Sequence, residues 1–279
     1  MLDPRRSLLM HASDSPELPR VPELTDLYAH GWRPRQGELM MIAGRSGSGK
    51  STFALFYTAK LGLPVLYFSS DMTAAQVNYK LAAASLMEDM EDVEREWRDD
   101  EDSHDRILDS LADLKFMFSY GGITYKKIDD TLDAYVELFD SWPAVIVIDN
   151  LMDVEGCESD YTEQQAAMQY IHEMKSNTGS TVIVLHHATD KGYEVSSDPY
   201  APPARKEIKN GMSEKPEQVL TVGLNGNTNE FKVANVKQRL GRSDPTGRSY
   251  ATLLAIPAQS RYESARPTVY PMYHAVEGD

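Results

Sequence analysis

Short runs of apolar, β-forming residues alternate along the chain with segments whose apolar residues recur at helical spacing. The runs that predict buried strands lie at 38–43, 63–70, 115–120, 144–149 and 180–187. The segments that predict helices lie at 51–60, 71–85, 128–142 and 164–175. Strands and helices in regular alternation favour an α/β fold with a mostly parallel central sheet flanked by helices.

The C-terminal part of the chain returns to β structure after a long polar segment. Runs at 218–224, 230–236 and 249–256 are separated by turn-forming residues and predict antiparallel strands that extend the sheet. The polar segment before them, 189–216, is rich in Pro, Gly and Ser, and a loop this long inside a compact domain is usually functional or disordered. We expect an N-terminal arm or linker at 1–24, one domain at 25–258 and a C-terminal tail at 259–279.

Composition indicates an intracellular, cytoplasmic protein that does not enter a membrane. No apolar run in the 279 residues approaches the ~20 residues of a membrane span, and the first residues lack the apolar stretch of a secretion signal. Cys157 is the single cysteine, which excludes an intramolecular disulfide and a multi-cysteine zinc site.

The net charge of −15 argues against a protein that coats nucleic acid with its whole surface, since phosphate contacts require Lys and Arg. Much of this negative charge is concentrated in one segment. Residues 88–105 hold eleven acidic residues and two arginines, so this tract accounts for −9 and the rest of the chain for −6. A restricted basic surface elsewhere is therefore compatible with the composition. We interpret the tract as a solvated helix on the outside, with a docking site for a basic partner as the alternative.

A phosphate-binding motif lies between the first predicted strand and the first predicted helix. The chain fits the pattern G-x-x-x-x-G-K-[ST] at every specified position through Gly44, Arg45, Ser46, Gly47, Ser48, Gly49, Lys50 and Ser51. The glycines let the backbone turn around an anion, and the N–H groups and the positive end of the helix dipole face the phosphates. We expect Lys50 to reach the β- and γ-phosphates and Ser51 to offer its hydroxyl to Mg²⁺. These residues and Thr52 are the predicted ATP site.

Polar side chains at three other strand ends lie where they are expected to complete this site. Asp149 follows a run of apolar β-formers, the Walker B pattern, in which the carboxylate holds Mg²⁺. Asp71 follows the second strand and either faces the nucleotide or, like Thr73, caps the next helix. His186 and His187 end the strand expected beside that of Asp149. One imidazole, His187 in preference, is a candidate for binding the γ-phosphate or the attacking water, with a structural role as the alternative.

The order of these motifs resembles the RecA-fold ATPase core of DnaB-like replicative helicases, over roughly residues 25–255. Residues 68–72, Phe-Ser-Ser-Asp-Met, are similar to the family's F-S-L-E-M segment. Residues 236–241, Val-Lys-Gln-Arg-Leu-Gly, are similar to its K-Q-R-x-G segment. The paired histidines resemble the RepA-type hexameric helicases within this group. We expect a phage-type member without an N-terminal primase-binding or collar domain.

This resemblance implies roles for individual side chains. Asp71 takes the position of the glutamate that orients or activates water, although it is one methylene shorter, and His187 takes that of the γ-phosphate sensor. Lys237 and Arg239 take the position of a finger that reaches the ATP of the adjacent subunit. The implied assembly is a hexameric ring around single-stranded DNA, with a replication primase or loader as a further partner.

The long polar loop supplies the candidate DNA contacts. Lys206 and Lys209 are the predicted contacts, with Lys191 and Arg205 as accessories, and a solvated loop is the alternative.

Three functions remain open at this point. The first is an ATP-dependent DNA helicase or translocase, and the second is a RecA-like recombination or annealing mediator that assembles on DNA without unwinding it. The third is a scaffold whose nucleotide only sets its assembly state. The implied roles of Asp71, Lys237 and Arg239 favour turnover of ATP over scaffolding.

Overall fold

A nine-stranded sheet runs through the computed structural model, which describes residues 15–189 and 198–265. In chain order its strands are β1 (Leu39–Gly44), β2 (Val65–Ser69), β3 (Phe116–Tyr120), β4 (Val145–Asp149), β5 (Thr181–His187), β6 (Gln218–Asn225), β7 (Glu230–Gln238), β8 (Tyr250–Ile256) and β9 (Arg261–Ser264). Across the sheet they follow the order β3-β2-β4-β5-β1-β6-β7-β8-β9. The strands from β1 to β6 are parallel, and β7, β8 and β9 are each antiparallel to the strand before them. The predicted α/β class, with antiparallel strands at the C-terminal end, is confirmed.

The direction of β6 differs from the prediction, which placed it among the antiparallel strands. It pairs in parallel with β1, from Met40 opposite Gln218 to Gly44 opposite Val222. The physical reason is the long connection before it. A parallel neighbour requires the chain to return from the carboxyl end of one strand to the amino end of the next, and the polar segment after β5 makes that return.

Helices cover both faces of the sheet and create two cores. They are α1 (Thr25–Ala29), α2 (Lys50–Lys60), α3 (Ala74–Leu86), α4 (Met90–Asp99), α5 (His104–Ala112), α6 (Tyr125–Phe139) and α7 (Tyr161–Thr178). Successive side chains of a strand point to opposite faces, so β1 sends Met40 and Ile42 toward α2 and α3, and Leu39 and Met41 toward α6 and α7. This double burial explains why the central strands read as continuous apolar runs.

The acidic tract lies on the outside of this sheet, as its charge predicts. Helices α3, α4 and α5 enclose a small separate core of Ala82, Ala83, Val93 and Ile107. Arg106 ties the tract together by binding the carboxylates of Glu88 and Glu96. Exposed ion pairs of this kind contribute little to stability, so the small apolar core is what holds these helices in place.

Residues at both ends of the predicted domain also join the fold. In the segment assigned to an N-terminal arm, Leu18, Val21 and Leu24 are buried in the core on the α2 side. In the segment assigned to a C-terminal tail, β9 adds a last strand to the sheet, and its Tyr262 is buried in the same core. The described sheet and core therefore extend beyond 25–258, the range expected for the domain.

We predict that Tyr262→Ala lowers the free energy of unfolding by about 3–5 kcal/mol, the usual loss for a buried aromatic ring. The Tyr262 ring lies 4.6 Å from that of Phe231 and 5.5 Å from that of Phe53, and its hydroxyl donates to the Gly49 carbonyl (3.3 Å). Urea unfolding measures the change. Leu254→Ala on the exposed side of β8 is the control, and an equal effect of both variants would contradict this packing role.

Candidate functional site

The loop between β1 and α2 is shaped as an anion cradle. Gly47 and Gly49 have positive φ angles of 70° and 81°, which a residue with a Cβ adopts only with strain. A Cβ on Gly44 would collide with the Ser48 side chain and the Val222 carbonyl. The loop leads directly into α2, which begins at Lys50, so the free N–H groups of the first turn of α2 face the concave side of the loop.

Lys50 is folded back over this loop. Its ammonium donates to the carbonyls of Gly44 (3.2 Å) and Arg45 (2.9 Å), and the side chain is buried. Burial lowers the pKa of Lys50 to about 8, although the nearby Asp149 carboxylate acts in the opposite direction. The amine therefore remains mostly charged at neutral pH, held by carbonyl acceptors that an anion can replace.

Asp149 ends β4 opposite the first turn of α2. Ser51 donates its hydroxyl to one carboxylate oxygen, Oδ1 (3.1 Å), and Tyr67 donates to the other, Oδ2 (2.8 Å). Burial raises the pKa of Asp149 to about 6 despite these two hydrogen bonds. The structure thus brings the predicted Ser51 and Asp149 together. Tyr67 is a partner that the sequence analysis missed, because nothing in an apolar strand pattern distinguishes a tyrosine with a bonded hydroxyl from a packed ring.

Asp71 and Thr73 follow β2, and their contacts distinguish a helix-capping residue from one that can face the nucleotide. Thr73 is the N-cap of α3, since its hydroxyl accepts from Gln76 N (3.3 Å) and its own N–H donates to the Gln76 side chain. Asp71 takes no part in that cap. Its side chain is exposed, and its negative charge is near enough to Asp149 to contribute to the raised pKa of that carboxyl. In the sheet, Ser69 at the end of β2 lies opposite Asp149.

The two histidines at the end of β5 have different environments. β5 lies beside β1 with His187 opposite Gly44, so His187 is next to the start of the loop, and it is half-buried. His186 is fully buried, and its Nε2 donates to the Lys209 carbonyl (3.1 Å). Burial lowers the pKa of His186 to about 4, so the ring is neutral and Nε2 carries its proton. His186 therefore anchors the returning loop, while His187 is at the edge of the site.

Lys237 and Arg239 lie away from this site. Arg239 N donates to the Glu217 carbonyl (3.1 Å), and Glu217 in turn is bonded to Leu39 at the amino end of β1, whereas the phosphate loop follows its carboxyl end. The Arg239 side chain is 55% exposed and approaches Glu217 (3.4 Å). The Lys237 ammonium instead donates to the carbonyls of Ser213 (2.9 Å) and Glu214 (2.5 Å). Burial lowers the pKa of Lys237 to about 8.

The predicted DNA contacts separate into different places. Lys206 is exposed and lines an open cavity of about 940 Å³ between the loop and the turn after β7, together with Arg45, Arg205 and Arg248. Lys209 does not line it and lies close to His186. Lys191 falls outside the described residues.

Comparison with known proteins identifies the family. The family model AAA_25, described as an AAA domain, matches residues 3–192. The chain is 33% identical over 262 residues to the gene 65 protein of Mycobacterium phage L5, which covers 91% of this chain and 95% of that protein. The gene 65 protein of Mycobacterium phage D29 is 33% identical over 226 residues, 77% of this chain and 94% of that protein. The chain belongs to the AAA domain family.

Solved structures show the fold of this AAA domain. A structure described as an ATPase domain superposes with a TM-score of 0.73 at 15% identity, covering 92% of this chain and 95% of that one. A DnaB-like replicative helicase, described with its interactions with primase, superposes with a TM-score of 0.74 at 14% identity. The superposition covers 95% of this chain and 68% of that one. The predicted RecA-type fold is therefore confirmed. Family membership places the chain among ATPases, as the motifs predicted.

The oxygen ligands at the centre of the AAA domain fit Mg²⁺. This ion prefers oxygen ligands and keeps several waters and phosphate oxygens when it binds with a nucleotide. The Ser51 hydroxyl and the Asp149 carboxylate are such ligands and already lie within hydrogen-bond distance. In the described part of the chain no three His, Cys, Asp or Glu side chains cluster as a metal site, so the fit depends on a nucleotide supplying further oxygens.

In residues 15–189 and 198–265, no helix combines the length and apolar character needed to cross a membrane.

We predict that acid destabilises the AAA domain partly through His186. Its pKa is about 4 in the folded chain and ~6.5 when unfolded, so the unfolded state takes up the proton first. The associated stability is present above pH ~6.5 and is lost as the pH falls toward ~4, amounting to about 2 kcal/mol between pH ~7.5 and pH ~5. Urea unfolding at both pH values measures it. His186→Gln should remove this part of the pH dependence, and equal pH slopes in wild type and His186→Gln would contradict the assignment.

Proposed function

We propose that the protein is an ATP-driven DNA helicase or translocase of the DnaB-like type. In this proposal a hexameric ring hydrolyses ATP at its subunit interfaces while loops grip single-stranded DNA. The main support for the proposal is that the functional side chains lie at two opposite ends of the parallel strands. Lys50, Ser51 and Asp149 meet at the carboxyl end of β1, and Arg239 is exposed near the amino end. Because Arg239 lies away from the phosphate loop of its own subunit, we assign it to the nucleotide of a neighbouring subunit.

Each residue of the site then has a defined task. The loop N–H groups and Lys50 bind the β- and γ-phosphates, and the Lys50 amine exchanges its carbonyl acceptors for phosphate oxygens. Ser51 and Asp149 hold Mg²⁺, which when bound neutralises charge on the phosphates. Tyr67 keeps the Asp149 carboxylate in a fixed orientation. Asp71, exposed beside Asp149, orients the attacking water, and His187 binds the γ-phosphate or that water.

The finger role falls mainly to Arg239. Lys237 is engaged with two carbonyls of its own chain, and its pKa of about 8 reflects a partly buried amine. Arg239 is exposed, and its carboxylate neighbour Glu217 already orients it. A guanidinium reaching the γ-phosphate of the partner subunit stabilises charge that develops in the transition state.

The proposed DNA track is the cavity lined by Lys206, Arg205 and Arg248. Arg45 is the fourth cation that lines it, so each subunit contacts only a few phosphates. A replication primase or a loader is the proposed protein partner. An ATP-dependent unwinding assay on forked DNA separates this motor from a mediator that assembles on DNA without unwinding.

We predict that Lys50→Ala abolishes ATP hydrolysis and weakens nucleotide binding, since the lysine supplies charge to the phosphates. Asp149→Asn should also abolish hydrolysis but retain more binding, because the loop N–H groups and Lys50 remain. Steady-state ATPase assays and titration with a fluorescent nucleotide measure both properties, and circular dichroism checks the fold. Wild-type turnover in Lys50→Ala would overturn the proposal.

We predict that Arg239→Ala and Lys50→Ala are each nearly inactive and that mixing them restores some ATPase activity. A trans-acting arginine is worth ~10³-fold or more in turnover, and mixed rings contain interfaces that pair an intact loop with an intact finger. Arg242→Ala, in the turn after β7, is the matched control and should stay active alone. Mixed rings that form without activity above that of the separate variants would show that Arg239 is not the finger.

A further inference from the structure

The loop after β5 returns to the nucleotide site and is fixed there at Lys209. The Lys209 carbonyl accepts from His186 Nε2 (3.1 Å), and the preceding Ile208 forms a β-bridge with Ala188. Thr189 N also donates to the Glu207 carbonyl (2.7 Å). These contacts attach residues 207–209 to the carboxyl end of β5. Since β5 is the neighbour of β1 in the sheet, Lys209 lies one strand away from the start of the phosphate loop.

The opposite side of this segment is fixed as well. Ile208 and Met212 are buried in the core against α7. Asn210 donates its side-chain amide to Gln164 Oε1 (2.9 Å), and Gln164 is fully buried and bonded to the Cys157 carbonyl (2.7 Å). Lys209 is therefore a residue of defined position, which distinguishes it from the exposed Lys206 three residues earlier.

The Lys209 ammonium lies near that of Lys50. Within residues 15–189 and 198–265 it has no ion-pair or hydrogen-bond partner. Its charge is close enough to Lys50 and to His186 to lower the pKa of both, in addition to the larger effect of burial. The nearby Asp149 carboxylate has both oxygens engaged, by Ser51 and Tyr67. Like charges held together near the interior repel unless an anion lies between them.

We propose that Lys209 binds the terminal phosphate of ATP in its own subunit and distinguishes ATP from ADP. This inference rests on the proposed function of the loop between β1 and α2. The loop N–H groups surround the inner phosphates, and the γ-phosphate lies on the side of Lys50 and Asp149. β5 separates β1 from β4, so a cation fixed at the end of β5 approaches the nucleotide from that side. The lysine that the sequence analysis paired with Lys206 as a DNA contact is thus assigned to phosphate.

The test compares Lys209→Met with Lys206→Met in the full-length chain. The probes are a non-hydrolysable ATP analogue, ADP and a single-stranded oligonucleotide at several salt concentrations. Lys209→Met should weaken the ATP analogue roughly tenfold or more, the usual scale for a hydrogen bond between charged groups, and should change ADP less than about twofold. Lys206→Met should leave both nucleotides unchanged and reduce the salt dependence of DNA binding.

Two further variants keep the outcomes separate. Lys209→Arg retains the charge and should recover part of the preference for the ATP analogue, which loss of folding would not allow. An unchanged ratio of ATP-analogue to ADP affinity in Lys209→Met, with a reduced salt dependence of DNA binding, would overturn the inference and return Lys209 to the DNA track. Lys50→Ala tests the nucleotide site itself. If it binds both nucleotides as wild type does, the proposed function fails; if it loses binding while Lys209→Met keeps the wild-type preference, only the inference fails.

Discussion

The site depends on the register of parallel strands that are buried on both faces. Gly44 lies opposite His187, and Ser69 lies opposite Asp149, because β1, β5, β4 and β2 all end at one edge of the sheet. A shift of one residue would turn every side chain of a strand to the other face and would bury polar groups in apolar cores. The packing that stabilises the sheet is therefore the same constraint that positions the polar strand ends around the phosphate loop.

Charged groups at this edge are held where water is largely excluded. Lys50 and Asp149 are buried, and burial favours the neutral form of each side chain. It lowers the pKa of Lys50 to about 8 and raises the pKa of Asp149 to about 6. Hydrogen bonds to loop carbonyls, to Ser51 and to Tyr67 offset part of this penalty without removing it. A bound polyphosphate and its cation would stabilise these partly compensated charges. The charge arrangement therefore favours a role in binding over a purely structural one.

Under the proposed function, the sheet also separates the tasks of one subunit in space. Its carboxyl edge binds the nucleotide, and Arg239, near its amino end, serves the neighbour. The segment 205–214 lies between these regions. It contacts His186 through Lys209 and receives the Lys237 ammonium at Ser213. This single segment therefore touches the proposed nucleotide site, the proposed DNA track and the strand that carries the finger.

The sequence by itself determined the α/β class, the phosphate loop and the Asp149 strand, because each is written in consecutive residues or in a local periodicity. It also indicated a RecA-type ATPase fold, through the order of those motifs. Only the tertiary structure decided that β6 runs parallel to β1, that Thr73 caps α3, that Tyr67 holds Asp149, and that Lys209 and Lys206 face different surroundings. These outcomes depend on contacts between residues far apart in the chain, and a local pattern contains no information about which distant side chain will be adjacent.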